Sequence, residues 1–293
     1  MKVKLGLPSN LFANLEFKDA LREVSRLNPE AVEVVFDKPH FEISTADESR
    51  MKLEVRDAIR SLGSHLEFSA HACFQKINLA SLNPADRKRS IKLIGKCLRV
   101  SGDLGLKVVV LHPGYLPRSF PWLRWLIPGL KSKVQRLMEE SLKECLRVAE
   151  DHGVALALEN VHGLESLIQA PSEAFKLANK LPGLKLTVDV GHLYLEARRR
   201  GLGGGLAERW VAEEISRLPK GVVVHLHLHD NYGFKDDHLP PGEGKIDFRP
   251  IVDALRAIDF EGQVILEVWS PERPQESGAK ALEEARKLLS LPC

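Results

Sequence analysis

Residues 155–190 read ALALENVHGLESLIQAPSEAFKLANKLPGLKLTVDV, and this stretch indicates the fold most clearly. Two short apolar runs, Ala155–Asn160 and Lys185–Val190, enclose a segment, Pro171–Leu181, that reads as a helix. Runs as continuously apolar as these two are typical of parallel strands that are covered by helices. The stretch therefore predicts the strand–helix–strand unit from which α/β folds are built.

The same alternation recurs along the whole chain. Strands are predicted at Val3–Pro8, Ala31–Asp37, Glu67–Ala72, Lys107–Pro113, Ala155–Asn160, Lys185–Val190, Val222–Asp230 and Gln263–Val268. Helices are predicted at Lys18–Leu27, Ser44–Leu62, Asn83–Leu104, Lys133–Asp151, Pro171–Leu181, Leu206–Leu218, Phe248–Ile258 and Gly278–Leu291. Eight consecutive βα units favour an α/β fold of the single (β/α)8 TIM barrel type over a doubly wound open sheet. We expect one domain over residues 1–293, although the length alone also suits two ordinary domains.

Composition excludes several classes of protein. The 293 residues are 44% hydrophobic, and 42 Lys and Arg balance 40 Asp and Glu, so bulk attraction to nucleic acid or to anionic membranes is not expected. The chain has no signal-peptide pattern and no apolar run of about 18 residues, so no membrane partner is expected. None of the four cysteines forms a CxxC pair, which indicates reduced thiols in a cytoplasmic protein.

Ionisable side chains occupy the carboxyl ends of the predicted strands, where (β/α)8 barrels carry their active sites. Strands three to eight end at or near His71, His112, Glu159, Asp189 with His192, His227 and Glu267. Imidazole and carboxylate without thiolate are ligands that suit Zn²⁺, Mn²⁺ or Fe²⁺. Each residue taken singly also suits a hydrogen-bonded structural role, but six strand ends of this kind together predict a metal site.

Strand seven and its following loop add further candidates. His225, His227 and His229 share one face because side chains alternate along a strand, and we expect His225 in the core and His227 as a ligand. In the loop, Asp236 and His238 lie two residues apart, close enough to hold one ion. The alternative interpretation is a solvated loop rich in turns.

The candidate residues and their order along the chain resemble those of the xylose isomerase-like TIM barrels. This superfamily includes sugar isomerases, sugar epimerases and endonuclease IV. The resemblance rests on His71 with Ile77–Ser81, His112–Gly114, Glu159–Asn160, Asp189–His192, His227–Asn231, Asp236–His238 with Gly242–Gly244, and Glu267. It extends from the first strand to the last. Each motif alone is weak, whereas the ordered set is specific.

The resemblance implies one of two ligand sets. The isomerase and epimerase branch implies one divalent ion (Zn²⁺, Mn²⁺, Co²⁺ or Mg²⁺) held by Glu159, Asp189, His227 and Glu267. The endonuclease IV branch implies three Zn²⁺ ions held by His71, His112, Glu159, Asp189, His192, His227, Asp236, His238 and Glu267. All nine positions carry the required residue type, but Gly6–Asn10 and Asn160–Leu164 replace two motifs of the nuclease.

Two activities follow as hypotheses. The first is isomerisation or epimerisation of a small sugar, sugar phosphate or keto-polyol. In it, Glu159 and Glu267 move the proton, and His71, His192 and His229 bind the substrate. The alternative is a zinc-dependent phosphodiester hydrolase acting at abasic sites in DNA, which the near-neutral charge and the missing motifs disfavour. A sugar-binding protein without catalysis is a third reading, which the presence of both glutamates disfavours.

Two loops at the predicted active face remain. Residues 115–130 are apolar and contain two Trp and two Arg, which favours a lid or a subunit contact in a homo-oligomer over a nucleic-acid surface. The loop after strand six contains Arg198–Arg200. These residues suit either a substrate phosphate or a solvated helix end.

Overall fold

The computed structural model describes residues 1–63, 65–116 and 128–290, and it confirms the (β/α)8 barrel. Its parallel strands form a closed ring in chain order. They are β1 Lys2–Pro8, β2 Ala31–Val35, β3 Glu67–His71, β4 Val108–Leu111, β5 Ala155–Glu159, β6 Lys185–Asp189, β7 Val223–His227 and β8 Glu261–Ile265. All of the predicted strands are present. Strands β2 to β8 end slightly earlier than predicted.

Helices cover the outside of the ring. They are α1 Phe17–Arg26, α2 Glu48–Arg60, α3 Pro84–Leu104, α4 Leu130–Asp151, α5 Pro171–Ala178, α6 Val190–Arg199, α7 Leu206–Ser216, α8 Arg249–Ala257 and α9 Pro274–Ser290, with a short 3₁₀ helix at Ser9–Phe12. The predicted start of α3 is confirmed in detail. The side chain of Asn83 accepts a hydrogen bond from the amide of Ala85, and Pro84 occupies the first helical position.

Helix α6 was not predicted from the sequence. It begins at Val190 directly after β6, without an intervening loop, and the Asp189 carboxylate caps it by accepting a hydrogen bond from the amide of His192 at 2.7 Å. All residues from Val190 to Ala197 are buried, so the helix lacks the polar face that makes a helical period visible in a sequence.

The register of the strands brings their carboxyl ends to one rim of the barrel. Asp189 at the end of β6 lies opposite His227 at the end of β7. Glu159 at the end of β5 lies opposite Thr187, which is two residues before the end of β6. Because the strands are parallel and adjacent, residues far apart in the chain meet at this rim.

The prediction of a loop for Arg198–Arg200 is wrong. Arg198 and Arg199 form the last turn of α6, and Arg200 follows it directly. Arg199 and Arg200 form ion pairs with the buried Glu196 at 2.6 and 2.8 Å, and Arg198 donates a hydrogen bond to the carbonyl of Leu202. The interpretation as a helix end is therefore the one that describes these residues.

Most of the apolar segment 115–130, for which a lid or a subunit contact was predicted, lies outside the described residues. Of the four cysteines, Cys73, Cys97 and Cys145 are buried and free, as predicted, and Cys293 is not among the described positions. Within the described ranges, no helix has both the length and the apolar character needed to cross a membrane.

Barrel closure leaves no space for a side chain at Gly6 on β1. A Cβ atom there would lie 2.8 Å from the backbone carbonyl oxygen of Ala31 and 2.5 Å from Cδ1 of Ile265. We expect Gly6→Ala to lower the free energy of unfolding by about 1–3 kcal/mol, as over-packing of a rigid core does. Urea unfolding would measure the change.

The matched control is Gly95→Ala in α3. There the new Cβ would meet the flexible end of Arg99 at 3.3 Å, and alanine is the better helix former. We expect this control to be neutral or to stabilise by up to about 1 kcal/mol. An equal loss of stability in both variants would contradict the account of Gly6.

Candidate metal centre

The structure brings together all nine residues of the longer predicted ligand set. Each lies at or just beyond the carboxyl end of a strand, or in the loop after β7, and together they form two adjoining groups. We call the first the deep group; its members are Glu159, Asp189, His227, Glu267, His71 and His112. We call the second the outer group; its members are His192, Asp236 and His238, joined by His229.

Glu159 is the centre of the deep group. Its side chain is buried, and its Oε2 atom lies 3.3 Å from Nε2 of His71 and 3.2 Å from Nε2 of His112. Its Oε1 atom lies 3.3 Å from Nδ1 of His192 and 3.6 Å from Nδ1 of His227. Four imidazoles from four different strand ends therefore surround one carboxylate.

The Nδ1 atom of His227 faces three carboxylates. Besides Glu159, it lies 3.5 Å from Oε2 of Glu267 and 3.9 Å from Oδ2 of Asp189. Ligand atoms of Asp189, His227 and Glu267 all lie within 4.8 Å of one another. The four residues that the isomerase branch implies as ligands therefore converge on one small volume.

The outer group lies beside the deep group. Oδ2 of Asp236 lies 3.2 Å from Nε2 of His192 and 3.1 Å from Nε2 of His238. His229 was not part of the predicted ligand sets, but its Nε2 lies 3.7 Å from Oδ1 of Asp236 and 3.2 Å from Oδ1 of Asp189. Ligand atoms of His192, His229, Asp236 and His238 fall within 4.8 Å of one another.

Buried carboxylates dominate the electrostatics of both groups. Burial favours the neutral form of His71, but its hydrogen bond to Glu159 and the surrounding negative charge raise its pKa to about 9. In the same way, carboxylates outweigh burial at His192 and His227 and raise the pKa of both imidazoles. The pKa of Glu159 is lowered despite its burial, because neighbouring imidazoles stabilise the carboxylate. The interior therefore concentrates negative charge that protons or a cation can neutralise.

The donor atoms fit a divalent cation. Among the described residues, Oδ2 of Asp189 and Nδ1 of His227 are buried without a hydrogen-bond partner. Unpartnered buried polar atoms are costly, and coordination of an ion is one way to satisfy them. Imidazole nitrogen and carboxylate oxygen together are ligands for Zn²⁺, Mn²⁺ or Co²⁺. These ligand types do not select one of the three metals.

A cavity of about 840 Å³ opens above the deep group. Its lining includes His71, His112, His192, Glu267 and, on the side of the outer group, His238. A volume of this size accommodates a small sugar or sugar phosphate. Of the three predicted substrate-binding residues, His71 and His192 thus border the cavity, whereas His229 is fully buried beside Gly191.

Three polar residues that sequence reasoning missed belong to this region. Glu33 on β2 is fully buried and contacts His227 from below. His162, after β5, borders the cavity, and its ring centroid lies 4.8 Å from that of His192. Asp230, after β7, is buried under the loop that carries the outer group. A charged residue inside the apolar run of β2 was the available signal for Glu33.

Asp230 holds the loop after β7 through backbone hydrogen bonds. Its Oδ2 accepts hydrogen bonds from the amides of Gly242 and Gly244, and its Oδ1 accepts from the amides of Asn231 and Ile246, all between 2.8 and 3.1 Å. One buried side chain therefore ties both ends of the loop together. That loop carries Asp236 and His238.

We expect Asp230→Asn to lower the free energy of unfolding by about 1–3 kcal/mol, because an amide NH₂ group cannot accept hydrogen bonds from backbone amides. Thermal or urea unfolding would measure the loss. Asp237→Asn is the control in the same loop, since within the described ranges Asp237 accepts one long hydrogen bond, from the amide of Tyr232. Equal stabilities of the two variants would contradict the role of Asp230.

The fold and the site together define a (β/α)8 barrel with a centre of carboxylates and histidines at its carboxyl rim. The family model for the xylose isomerase-like TIM barrel matches residues 21–290, so the chain belongs to that family. Its curated relatives include the uncharacterized protein MJ1311 of Methanocaldococcus jannaschii, which is 27% identical over 270 residues, covering 91% of this chain and 84% of that protein. They also include L-ribulose-5-phosphate 3-epimerase UlaE of Shigella flexneri, 24% identical over 257 residues, covering 86% and 82%.

Solved structures show the same similarity. A D-tagatose 3-epimerase-like protein superposes with a TM-score of 0.76 at 25% identity, covering 98% of both chains. The IOLI protein, solved with a bound zinc atom, superposes with a TM-score of 0.75 at 20% identity and the same coverage. At 20% identity, the similarity to the IOLI protein supports the fold alone. Sugar epimerases thus recur among both the relatives and the structural neighbours.

Proposed function

We propose that this protein is a divalent-metal-dependent epimerase or isomerase of a small sugar, sugar phosphate or keto-polyol. The observation that carries the proposal is that the carboxylates of two glutamates, Glu159 and Glu267, both lie close to one histidine nitrogen. Their carboxylates lie 3.6 and 3.5 Å from Nδ1 of His227. The epimerase names among the relatives support the same class of reaction.

The ion has a defined set of candidate ligands: Glu159, Asp189, His227 and Glu267. When bound, a divalent ion polarises the substrate carbonyl and offsets the negative charge that develops when the neighbouring carbon loses its proton. Co²⁺, Mn²⁺ and Zn²⁺ fit this donor set, whereas Mg²⁺ fits it less well because it prefers oxygen ligands to imidazole.

The two glutamates divide the proton transfer. One carboxylate removes the proton from the carbon next to the carbonyl, and the other carboxyl group returns a proton to the opposite face, which inverts that carbon. Exchange with water then restores the starting protonation of both groups. The Glu267 side chain is 17% exposed and borders the cavity. The Glu159 side chain is only 1% exposed, so the two carboxylates lie at different depths below the cavity.

Histidines at the rim position the substrate in this proposal. His71 donates a hydrogen bond from Nδ1 to the carbonyl of Ala72 at 2.8 Å, and its Nε2 faces Glu159. His192 borders the same cavity. Both rings are fixed by their surroundings, and such rigid donors orient substrate hydroxyl groups. His229, which is buried, acts through Asp189 and Asp236 rather than from within the cavity.

Isotope exchange tests the activity. Incubated in D₂O with Mn²⁺ or Co²⁺ and a panel of ketoses and their phosphates, the protein should invert one carbon and incorporate deuterium there, which NMR detects. We expect Glu267→Gln to reduce turnover by about 10²–10⁴-fold, the range for loss of a general acid or base. The control is Glu261→Gln, at the exposed opposite end of β8. Substantial turnover by the Glu267 variant would remove its assigned role.

Metal removal gives a second test. A ligand that binds only the folded state stabilises it by about 2.7 kcal/mol at a hundredfold excess over Kd. We therefore expect EDTA to lower Tm and added Mn²⁺ or Co²⁺ to restore it, as measured by calorimetry. An identical Tm with and without chelator and metal would speak against a metal site.

The outer group supports a second candidate function, namely zinc-dependent hydrolysis of phosphodiesters at abasic sites in DNA. His192, Asp236 and His238 lie within reach of a common ion, as that activity requires. Elemental analysis of the purified protein separates the two candidates. One ion per chain, with no nicking of an abasic duplex, supports the epimerase; three zinc ions with nicking support the hydrolase.

A further inference from the structure

Glu33 is an ionisable residue in the interior of the barrel, below the deep group. It lies in the middle of β2, and its side chain is completely buried. Its Oε2 atom lies 2.8 Å from Nε2 of His225 and 3.3 Å from Nε2 of His227. Within the described part of the chain, these two imidazoles are its ion-pair partners. Neither the proposed ligand set nor the proposed proton transfer uses Glu33.

The contact constrains where the imidazole protons lie. A buried carboxylate accepts hydrogen bonds and repels lone pairs, so it requires an N–H on each nitrogen that faces it. Nε2 of His225 and Nε2 of His227 must therefore both carry a proton. In His227 this leaves Nδ1, the atom that faces Glu159, Asp189 and Glu267, as the nitrogen able to bind a cation.

We propose that Glu33 is a positioning residue that holds His227 in the tautomer protonated on Nε2 and thereby presents Nδ1 to the metal. The inference rests on the metal site of the proposed function. Carboxylates that accept the second N–H of a metal-bound histidine orient the ring and increase its basicity as a ligand.

His225 acts on Glu33 rather than on the metal. It shares the same Oε2 atom through a shorter hydrogen bond, so it holds the carboxylate in place beneath His227. Its ring stands nearly perpendicular to that of His227, at an interplanar angle of 83° and a centroid distance of 5.3 Å. Both rings therefore direct Nε2 at the same carboxylate oxygen from different orientations.

Cobalt binding to the metal-free protein tests the proposal without relying on turnover. The Kd for Co²⁺ is measured from its d–d absorption or by calorimetry in the wild type and in two variants. We expect Glu33→Leu to weaken binding by about 10–100-fold, the usual effect of losing such a partner. The Kd of Glu33→Gln should lie between those of the wild type and Glu33→Leu, because the amide oxygen of Gln still accepts the hydrogen bond while the charge is lost.

Gln263→Leu is the matched control. Gln263 lies on β8 directly opposite His225, is similarly buried, and receives the same kind of polar-to-apolar change. We expect its Kd for Co²⁺ to stay within about threefold of the wild type, since among the described residues Gln263 makes no hydrogen bond to His227. A loss as large as that of Glu33→Leu would point to a general effect on the barrel interior and overturn the specific role.

The tautomer itself is visible by ¹⁵N NMR of histidine side chains in the metal-free wild type. The measurement is made at alkaline pH, where the ring is neutral, because the surrounding carboxylates raise the pKa of His227. The expected result is a neutral ring protonated on Nε2, and a neutral ring protonated on Nδ1 instead would overturn the proposal even if Glu33→Leu does not fold. Wild-type affinity for Co²⁺ in Glu33→Leu would overturn it as well. Failure of the wild type to bind Co²⁺ counts against the proposed function, while the tautomer measurement still decides the role of Glu33.

Discussion

The site depends on one constraint: several carboxylates are buried inside a closed barrel, and each must be neutralised there. Glu159 meets this requirement through four imidazoles, and Glu33 through two. Because isolated buried charges are unfavourable, the histidines and carboxylates must occupy complementary positions on different strands. The register of the ring supplies those positions. The buried charges and the proposed chemistry therefore lie in the same part of the barrel.

The fold was largely predictable because its signals are local and repeated. The apolar runs of β5 and β6, and the Asn83–Pro84 start of α3, are readable in a single sequence. Helix α6 was not readable, since it is buried on all sides and continues β6 without a turn. The misassignment of Arg198–Arg200 to a loop follows directly from that omission. Where a helix has no solvated face, periodicity carries no information about it.

The site was predictable in part, for a different reason. The rule that chemistry lies at strand carboxyl ends led to His71, Glu159, Asp189 and Glu267, which the structure brings together. It could not find Glu33, which lies in mid-strand, nor assign His229 a place between Asp189 and Asp236. Those contacts depend on which strands face each other across the barrel, and a linear sequence does not state that.

The contact between Glu33 and His225 joins residues 192 positions apart in the chain. Contacts of such large sequence separation form late in folding, because the entropy of closing a long loop is lost before the contact stabilises the chain. During synthesis, β2 with its glutamate is complete long before β7 emerges. The proposed ligands come from β5 to β8, and Glu33, which would position one of them, lies on β2, so the complete arrangement forms only when the ring is nearly whole. If the proposed metal site is correct, metal affinity should consequently depend on completion of the barrel, so that truncated or half-assembled chains bind the ion more weakly than finished molecules.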